Sequence, residues 1–265
     1  MGLLTFGYIL FVIIMLHELG HLLAAKFFGV RVKTYSIGFG WRIIGFKFWN
    51  KGCGKLHIAF RLFNFKPYNK VLWECKNVTE YRLSLVPFGG FCDIAGETKS
   101  TGKKYELSSK PFYQKTIIAL AGVTVNIITG IIVLTGVMIK NFGFKSGIIE
   151  TFNFIYNFVV GTFVAIAQIF TGNVELSNAS DINVMMSNIG FEYVLIYFAV
   201  FSIIMSIVNL IPFPALDGSL PLLWILEKWT KNKANKLLHG IWLGGFVILM
   251  LLQVIVLYFW IFRGK

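Results

Sequence analysis

The chain has 265 residues, of which 56% are hydrophobic and 14% are charged, and its mean hydropathy is +0.71. A soluble domain carries about 25% charged residues, so the composition excludes an ordinary soluble protein and indicates a polytopic membrane protein. The net charge of +13 would also suit a nucleic-acid-binding protein. We favour a membrane topology, because the basic residues are unevenly placed and no aromatic platform away from the membrane can be identified.

Basic residues concentrate in two stretches of the chain. Sixteen of the 25 Lys and Arg residues lie between Arg31 and Lys115, and four more lie between Lys228 and Lys236. Positive residues mark cytoplasmic loops, so we expect both stretches in the cytoplasm and the N-terminus outside. All the cysteines fall in the first stretch without Cys-x-x-Cys spacing, which predicts reduced thiols. They are Cys53, Cys75 and Cys92.

The first apolar segment, residues 1–28, is long enough to cross a bilayer and contains the motif His-Glu-Leu-Gly-His. It has no charged leader and no small-residue cleavage site, so we expect a retained helix. On a helix, His17 and His21 share one face and can bind one zinc ion, with Glu18 placed to take a proton from a metal-bound water. The alternative is a pair of core histidines. The cost of polar groups in lipid favours a functional site.

In parts of residues 29–115, apolar and polar residues alternate with a period of two, which predicts short strands. The strands are predicted at residues 30–37, 57–62 and 80–85, with glycine-rich breaks between them. We expect a membrane-associated β-sheet with an edge that an extended peptide could join. A plain cytoplasmic β-domain is the alternative that the pattern leaves open. Residues 94–110 are polar and rich in Gly and Ser, which predicts a loop.

The second transmembrane helix is predicted at residues 116–139 and contains Asn126. At about 1.5 Å per residue, Asn126 lies about 14 Å below the cytoplasmic end of its helix, and His21 lies about 10 Å from Phe28. Polar groups at similar depth predict one shared site, and the small residues nearby would let the two helices approach closely.

Residues 140–190 are predicted to be extracytoplasmic, although residues 151–170 are apolar enough to span. If this segment crossed the membrane, Asp217 would fall on the face opposite the two histidines. The second basic stretch would then be extracytoplasmic. We therefore expect a helix that lies on, or dips into, the outer leaflet.

A third transmembrane helix is predicted at residues 191–226, followed by a cytoplasmic basic loop at 227–239 and a fourth helix at 240–265. Two prolines break the third helix near its cytoplasmic boundary, shortly before Asp217. Asp217 could be an exposed loop acid. The presence of His17 and His21 in the same chain favours Asp217 as a third zinc ligand, because catalytic zinc usually has three protein ligands and a water.

Taken together, these motifs resemble the site-2 protease family of intramembrane zinc metalloproteases. The likeness is carried by the His-Glu-Leu-Gly-His motif, by residues 121–126 and 209–218, and by the turn Pro87-Phe88-Gly89-Gly90-Phe91. It is closest to the bacterial, regulator-of-sigma-E-protease-like branch that cleaves anti-sigma factors and signal-peptide remnants. Two departures stand out. Val123 replaces the family's proline, and residues 141–191 are too short for the PDZ domain usual in that branch.

The resemblance implies that His17, His21 and Asp217 bind zinc and that Glu18 is the general base. It implies substrate contacts for Asn126, Asn209, Gly89 and Gly90. The expected protein is an α-helical multi-pass protein of the cell membrane with about four transmembrane helices, a small sheet and an outer-leaflet amphipathic helix. Its expected partners are the lipid bilayer and membrane-protein substrates with a single transmembrane segment, and no nucleic acid. The alternative class is a non-catalytic membrane scaffold or transport component with a structural zinc site.

Overall fold

A computed structural model describes residues 3–48, 61–62, 79–97, 101–171, 191–230, 237–238, 240–249 and 251. It is mostly helical, with a three-stranded sheet after the first helix. The helices are α1 (Leu3–Phe27), α2 (Phe112–Phe142), α3 (Phe144–Thr171), α4 (Phe191–Leu210), α5 (Ser219–Trp229) and α6 (Gly240–Leu249). The strands are β1 (Val32–Phe48), β2 (Arg61–Leu62) and β3 (Thr79–Ile94).

Within the described residues, three helices are long and apolar enough to cross a membrane. They are the helical segments Thr5–Phe27, Phe112–Phe142 and Phe191–Leu210. The predicted fourth span at 240–265 is described only in part, as α6, so a count of four stays a prediction. Helix α3 begins earlier than the interfacial segment predicted at 151–170. Its placement in the outer leaflet also stays a prediction.

Helix α2 extends beyond the predicted residues 116–139 at both ends. The predicted proline break within the segment 191–226 is present, since α4 ends at Leu210 and α5 begins at Ser219. Pro212 and Pro214 lie in the gap, where they lack the amide hydrogens that a continuing helix would need.

The sheet differs more from prediction than the helices do. Strand β1 runs through Gly38 and Gly40, and β3 runs through Gly89, where separate strands had been predicted to end. These glycines have φ values of +84°, +84° and +110°. Glycine adopts such values readily, so the chain bends there and pairing resumes beyond the bend. The strand predicted at 57–62 is described only at β2.

Strand β1 is the middle strand of the order β2-β1-β3. Its first half pairs with two parts of β3, since Thr34 lies opposite both Glu80 and Asp93. Its second half pairs with the start of β3, where Phe48 lies opposite Thr79. The first half of β1 is therefore an inner strand.

The chain forms two compact units, one comprising Met1–Met15 and Val125–Ile204 and the other Leu16–Thr124 and Met205–Lys265. In the first unit, Ser202 on α4 donates a hydrogen bond of 2.8 Å to the carbonyl of Asn126 on α2. In the second unit, a buried apolar cluster joins α1, the sheet and the start of α2. Its buried members are Leu22, Ala25, Val30, Val32, Tyr35, Ile94, Leu107 and Ile118.

Candidate metal centre

Helix α1 places two imidazoles one turn apart. His17 and His21 lie at positions i and i+4, which share one face of a helix, and their exposed fractions are 5% and 7%. Their ring centroids are 4.9 Å apart, and the rings are nearly perpendicular. The Nε2 atoms of the two rings are 3.3 Å apart, so both rings present the same nitrogen to one point.

A short loop between α4 and α5 brings a carboxylate to this point. The loop is closed by a hydrogen bond of 2.8 Å from the Gly218 amide to the Asn209 carbonyl. Asp217 precedes Gly218, and its Oδ2 lies 2.9 Å from Nε2 of His17 and 3.3 Å from Nε2 of His21. Residues far apart in the sequence thus meet as a compact group of three donor atoms.

The spacing of these donors fits a zinc ion. Two ligands of a tetrahedral zinc are about 3.3 Å apart when each lies about 2.0–2.1 Å from the metal. The three separations of 2.9, 3.3 and 3.3 Å are close to that value. Two imidazoles and a carboxylate, with one position left open, are also a donor set of catalytic zinc sites.

The charge of Asp217 suits a metal ligand. Its carboxylate lies against the imidazoles of both His17 and His21, and a carboxylate oxygen is a usual ligand of zinc. Its side chain remains 21% exposed.

Glu18 lies beside the three donors. It follows His17 on α1 and is half-buried, and the charges of His21, His17 and Asp217 act on it. The structure therefore places a carboxyl group next to the site without making it part of the donor triad.

The other predicted site residues lie in different surroundings. Asn126 is fully buried on α2 and belongs to the first unit. Asn209 is the residue before the last of α4, and its carbonyl closes the Asp217 loop. Gly90 lies opposite Ile37 in the sheet, and a Cβ on Gly89 would collide with the Phe39 ring.

Two residues of α2 contact the histidines, although sequence reasoning assigned them no contact. The Ile118 carbonyl lies 2.8 Å from Nδ1 of His21. A Cβ on Gly122 would lie 2.8 Å from Nε2 of His17. The small residues of this segment predicted a close helix approach, and Gly20 shows it, since a Cβ there would lie 2.5 Å from the Ala121 carbonyl oxygen. A sequence does not say which atoms meet across such a contact.

Cys92 has a free thiol, as predicted, and burial raises its pKa. The thiol is therefore protonated at neutral pH and is a poor nucleophile and metal ligand. Cys53 and Cys75 lie outside the described residues.

Comparison with known proteins gives a family and several relatives. The family model of Peptidase family M50 matches residues 5–63 and 58–252. The zinc metalloprotease Rip1 of Mycolicibacterium smegmatis is 25% identical over 148 residues, which is 52% of this chain and 29% of that protein. A putative zinc metalloprotease of Fusobacterium nucleatum is 30% identical over 122 residues, 46% of this chain and 28% of that protein.

A putative zinc metalloprotease of Borreliella burgdorferi is 32% identical over 131 residues, 46% of this chain and 24% of that protein. The matches thus span about a quarter to a third of the length of these three relatives, at 29%, 28% and 24%. The resemblance found from the motifs and the family match point to the same group of proteins.

Proposed function

Because the chain belongs to peptidase family M50, we propose that it is a zinc-dependent endopeptidase that hydrolyses peptide bonds within the membrane-spanning segments of other proteins. The observation that carries the proposal is the convergence of His17, His21 and Asp217 on one point. The span-length apolar helix that bears both histidines supports a reaction within the membrane. The names of the relatives support zinc as the metal.

In this proposal His17, His21 and Asp217 hold the zinc through Nε2, Nε2 and Oδ2. When bound, zinc lowers the pKa of a coordinated water to about 7 and polarises a carbonyl group. Glu18, beside the donors, accepts the proton of the attacking water on its carboxylate and passes it to the nitrogen of the leaving amine. The burial of the two histidines keeps bulk water away from the donor atoms.

Substrate contacts are assigned from the family resemblance. A peptide bond in a regular helix is shielded by its own hydrogen bonds, so the substrate has to unwind before it is cut. Unwound backbone needs new partners, which polar side chains and glycine-rich backbone can supply. The residues assigned to this role are Asn126, Asn209, Gly89 and Gly90.

The test of the catalytic proposal is Glu18→Gln. The purified variant and the wild type should each bind one zinc per chain. The variant should cleave a model transmembrane peptide about 10²–10⁴-fold more slowly, since it lacks the general base. Glu150→Gln is the matched control, because Glu150 is an exposed glutamate of α3. Undiminished cleavage by Glu18→Gln contradicts the assignment. A membrane scaffold or transport component would show no cleavage even in the wild type.

The proposed topology has both basic stretches in the cytoplasm, the N-terminus outside and four spans in all. Single cysteines introduced at Lys103 and Lys228 in a cysteine-free chain should then react with a membrane-impermeant reagent only in opened cells. A cysteine at Phe144 should react in intact cells. Labelling of Lys228→Cys in intact cells would exclude this topology.

The proposed substrates are membrane proteins with a single transmembrane segment, such as anti-sigma factors or signal-peptide remnants. This class follows the bacterial branch that the motifs resemble. Membrane fragments from cells expressing wild type or Glu18→Gln can be compared by mass spectrometry. Single-span proteins should accumulate uncut with Glu18→Gln, and accumulation of multi-pass proteins alone would contradict the class.

A further inference from the structure

The ring of His21 is oriented by a backbone group of another helix. Its Nδ1 lies 2.8 Å from the carbonyl oxygen of Ile118, and both groups are buried. A carbonyl oxygen can only accept, so Nδ1 carries the hydrogen and Nε2 keeps its lone pair. Nε2 is the atom that lies 3.3 Å from Asp217. The Ile118 carbonyl therefore selects the tautomer that a metal needs.

This carbonyl is accessible because residue 122 has no side chain. In an α-helix the carbonyl of residue 118 already accepts the amide hydrogen of residue 122, one turn later. The side chain of a helical residue covers the turn before its own Cα. Gly122 leaves that turn uncovered, so an imidazole from α1 can reach the second lone pair of the Ile118 oxygen.

The same glycine makes room for both rings. A Cβ on Gly122 would lie 2.8 Å from Cε1 and Nε2 of His17, and it would also collide with Nε2 of His21. Those separations are well inside van der Waals contact, so the rings would have to move. The atoms displaced are the donor nitrogens themselves.

We propose that Ile118 and Gly122 are a positioning pair for the metal centre. The Ile118 carbonyl fixes the tautomer of His21, and Gly122, which has no side chain, fixes where both imidazoles lie. This rests on the proposed zinc function. Both residues act through the two histidines, in the way that partners behind metal-bound histidines generally do.

The test compares Gly122→Ala with Gly136→Ala in the intact protein. Gly136 is on the same helix, and a Cβ there meets no atom of the described residues within 4 Å. Zinc affinity, measured by competition with a chelator, should fall about 10- to 100-fold in Gly122→Ala and stay unchanged in Gly136→Ala. With cobalt in place of zinc, the visible absorption of Gly122→Ala should shift. Wild-type affinity and an unchanged cobalt spectrum in Gly122→Ala overturn the proposal.

A second measurement is made on the wild-type protein and uses a variant only to identify a resonance. In zinc-loaded wild-type protein with ¹⁵N-labelled histidine, the His21 resonances, identified by their loss in His21→Asn, should show hydrogen on Nδ1 and metal on Nε2. Hydrogen on Nε2 overturns the proposal. If wild-type protein binds no zinc at all, the proposed function fails first. If zinc binds but Gly122→Ala binds it equally well, only the positioning pair fails.

Discussion

The loop that carries Asp217 holds one residue in a conformation that L-amino acids rarely adopt. Ala215 has a φ of 79°. The left-handed conformation costs about 1–2 kcal/mol for a residue with a Cβ. The bond from the Gly218 amide to the Asn209 carbonyl closes the loop around Ala215 and keeps it in place. Backbone strain thus lies two residues from the side chain that reaches the histidines, as is common at functional sites.

Two substitutions at this position should differ. Ala215→Gly relieves the strain, but glycine loses about 0.5–1 kcal/mol more conformational entropy on folding, so the free energy of unfolding should change little. Ala215→Val adds a β-branched side chain in a conformation that disfavours it and should cost about 1–3 kcal/mol. Thermal unfolding of the purified protein in detergent measures both. A lower midpoint for Ala215→Gly than for Ala215→Val contradicts the argument.

At the scale of elements, two ion pairs between described residues of the sheet differ in exposure. Arg42 Nη1 lies 2.6 Å from Glu80 Oε1, and these side chains are 12% and 9% exposed. Lys33 Nζ lies 2.9 Å from Asp93 Oδ1, and these side chains are 39% and 42% exposed. Removing one partner of a buried pair strands a charge away from water, whereas an exposed charge is simply hydrated.

The two pairs should therefore respond differently to loss of the acid. Glu80→Ala should lower the free energy of unfolding by about 3–5 kcal/mol. Asp93→Ala should change it by at most about 1 kcal/mol. Thermal unfolding and limited proteolysis of the sheet region compare the two variants. Equal midpoints would show that the Arg42–Glu80 pair is not buried in the folded protein.

Helix α6 packs on the loop that carries Asp217. A Cβ on Gly245 would lie 2.5 Å from Cβ of Pro214 and 2.7 Å from its carbonyl oxygen. A Cβ on the neighbouring Gly244 meets no atom of the described residues within 4 Å. The two glycines are a matched pair, because only one lies at the contact.

Gly245→Ala should displace the loop and lower zinc affinity and the unfolding midpoint, with a free-energy cost of about 1–3 kcal/mol from overpacking. Gly244→Ala should leave zinc affinity unchanged. Zinc content after dialysis and thermal unfolding are the measurements. Equal zinc loss in both variants would mean that α6 does not hold the loop.

The sequence allowed prediction of the features that depend on neighbours in the chain. The spacing of His17 and His21 and the proline break before Asp217 are local patterns, and the structure brings those three residues together. The continuity of β1 through Gly38 was not predictable, because a glycine can end a strand or bend it and distant pairing decides which. The Ile118 carbonyl belongs to a backbone that any residue would supply, so no side-chain pattern reveals it.

At the scale of the whole molecule, the proposed metal site joins segments that are distant in sequence. His17 and His21 come from α1 and Asp217 comes from the loop after α4. A ligand that binds only the folded state stabilises it, by about 4 kcal/mol when its concentration is about a thousand times its dissociation constant. We therefore expect zinc binding and folding to be linked in this chain.

Addition of zinc should raise the unfolding midpoint of the wild type, and a chelator should reverse the effect. In Asp217→Ala the shift should be lost, since one of three ligands is missing. Asp93→Ala should keep it, because Asp93 pairs with Lys33 on the sheet. Calorimetry of the detergent-solubilised protein measures the shift. A full zinc response in Asp217→Ala would remove this residue from the ligand set.

Because the first half of β1 pairs with β3 on both sides, an extended peptide can add to the sheet only at certain segments. Residues 34–37 are opposed by β3 on both sides, so their backbone hydrogens and oxygens are already committed within the protein. A substrate peptide could pair with these residues only after it had displaced the backbone hydrogen bonds between β1 and β3. Recruitment by strand addition has to begin at another segment of the sheet.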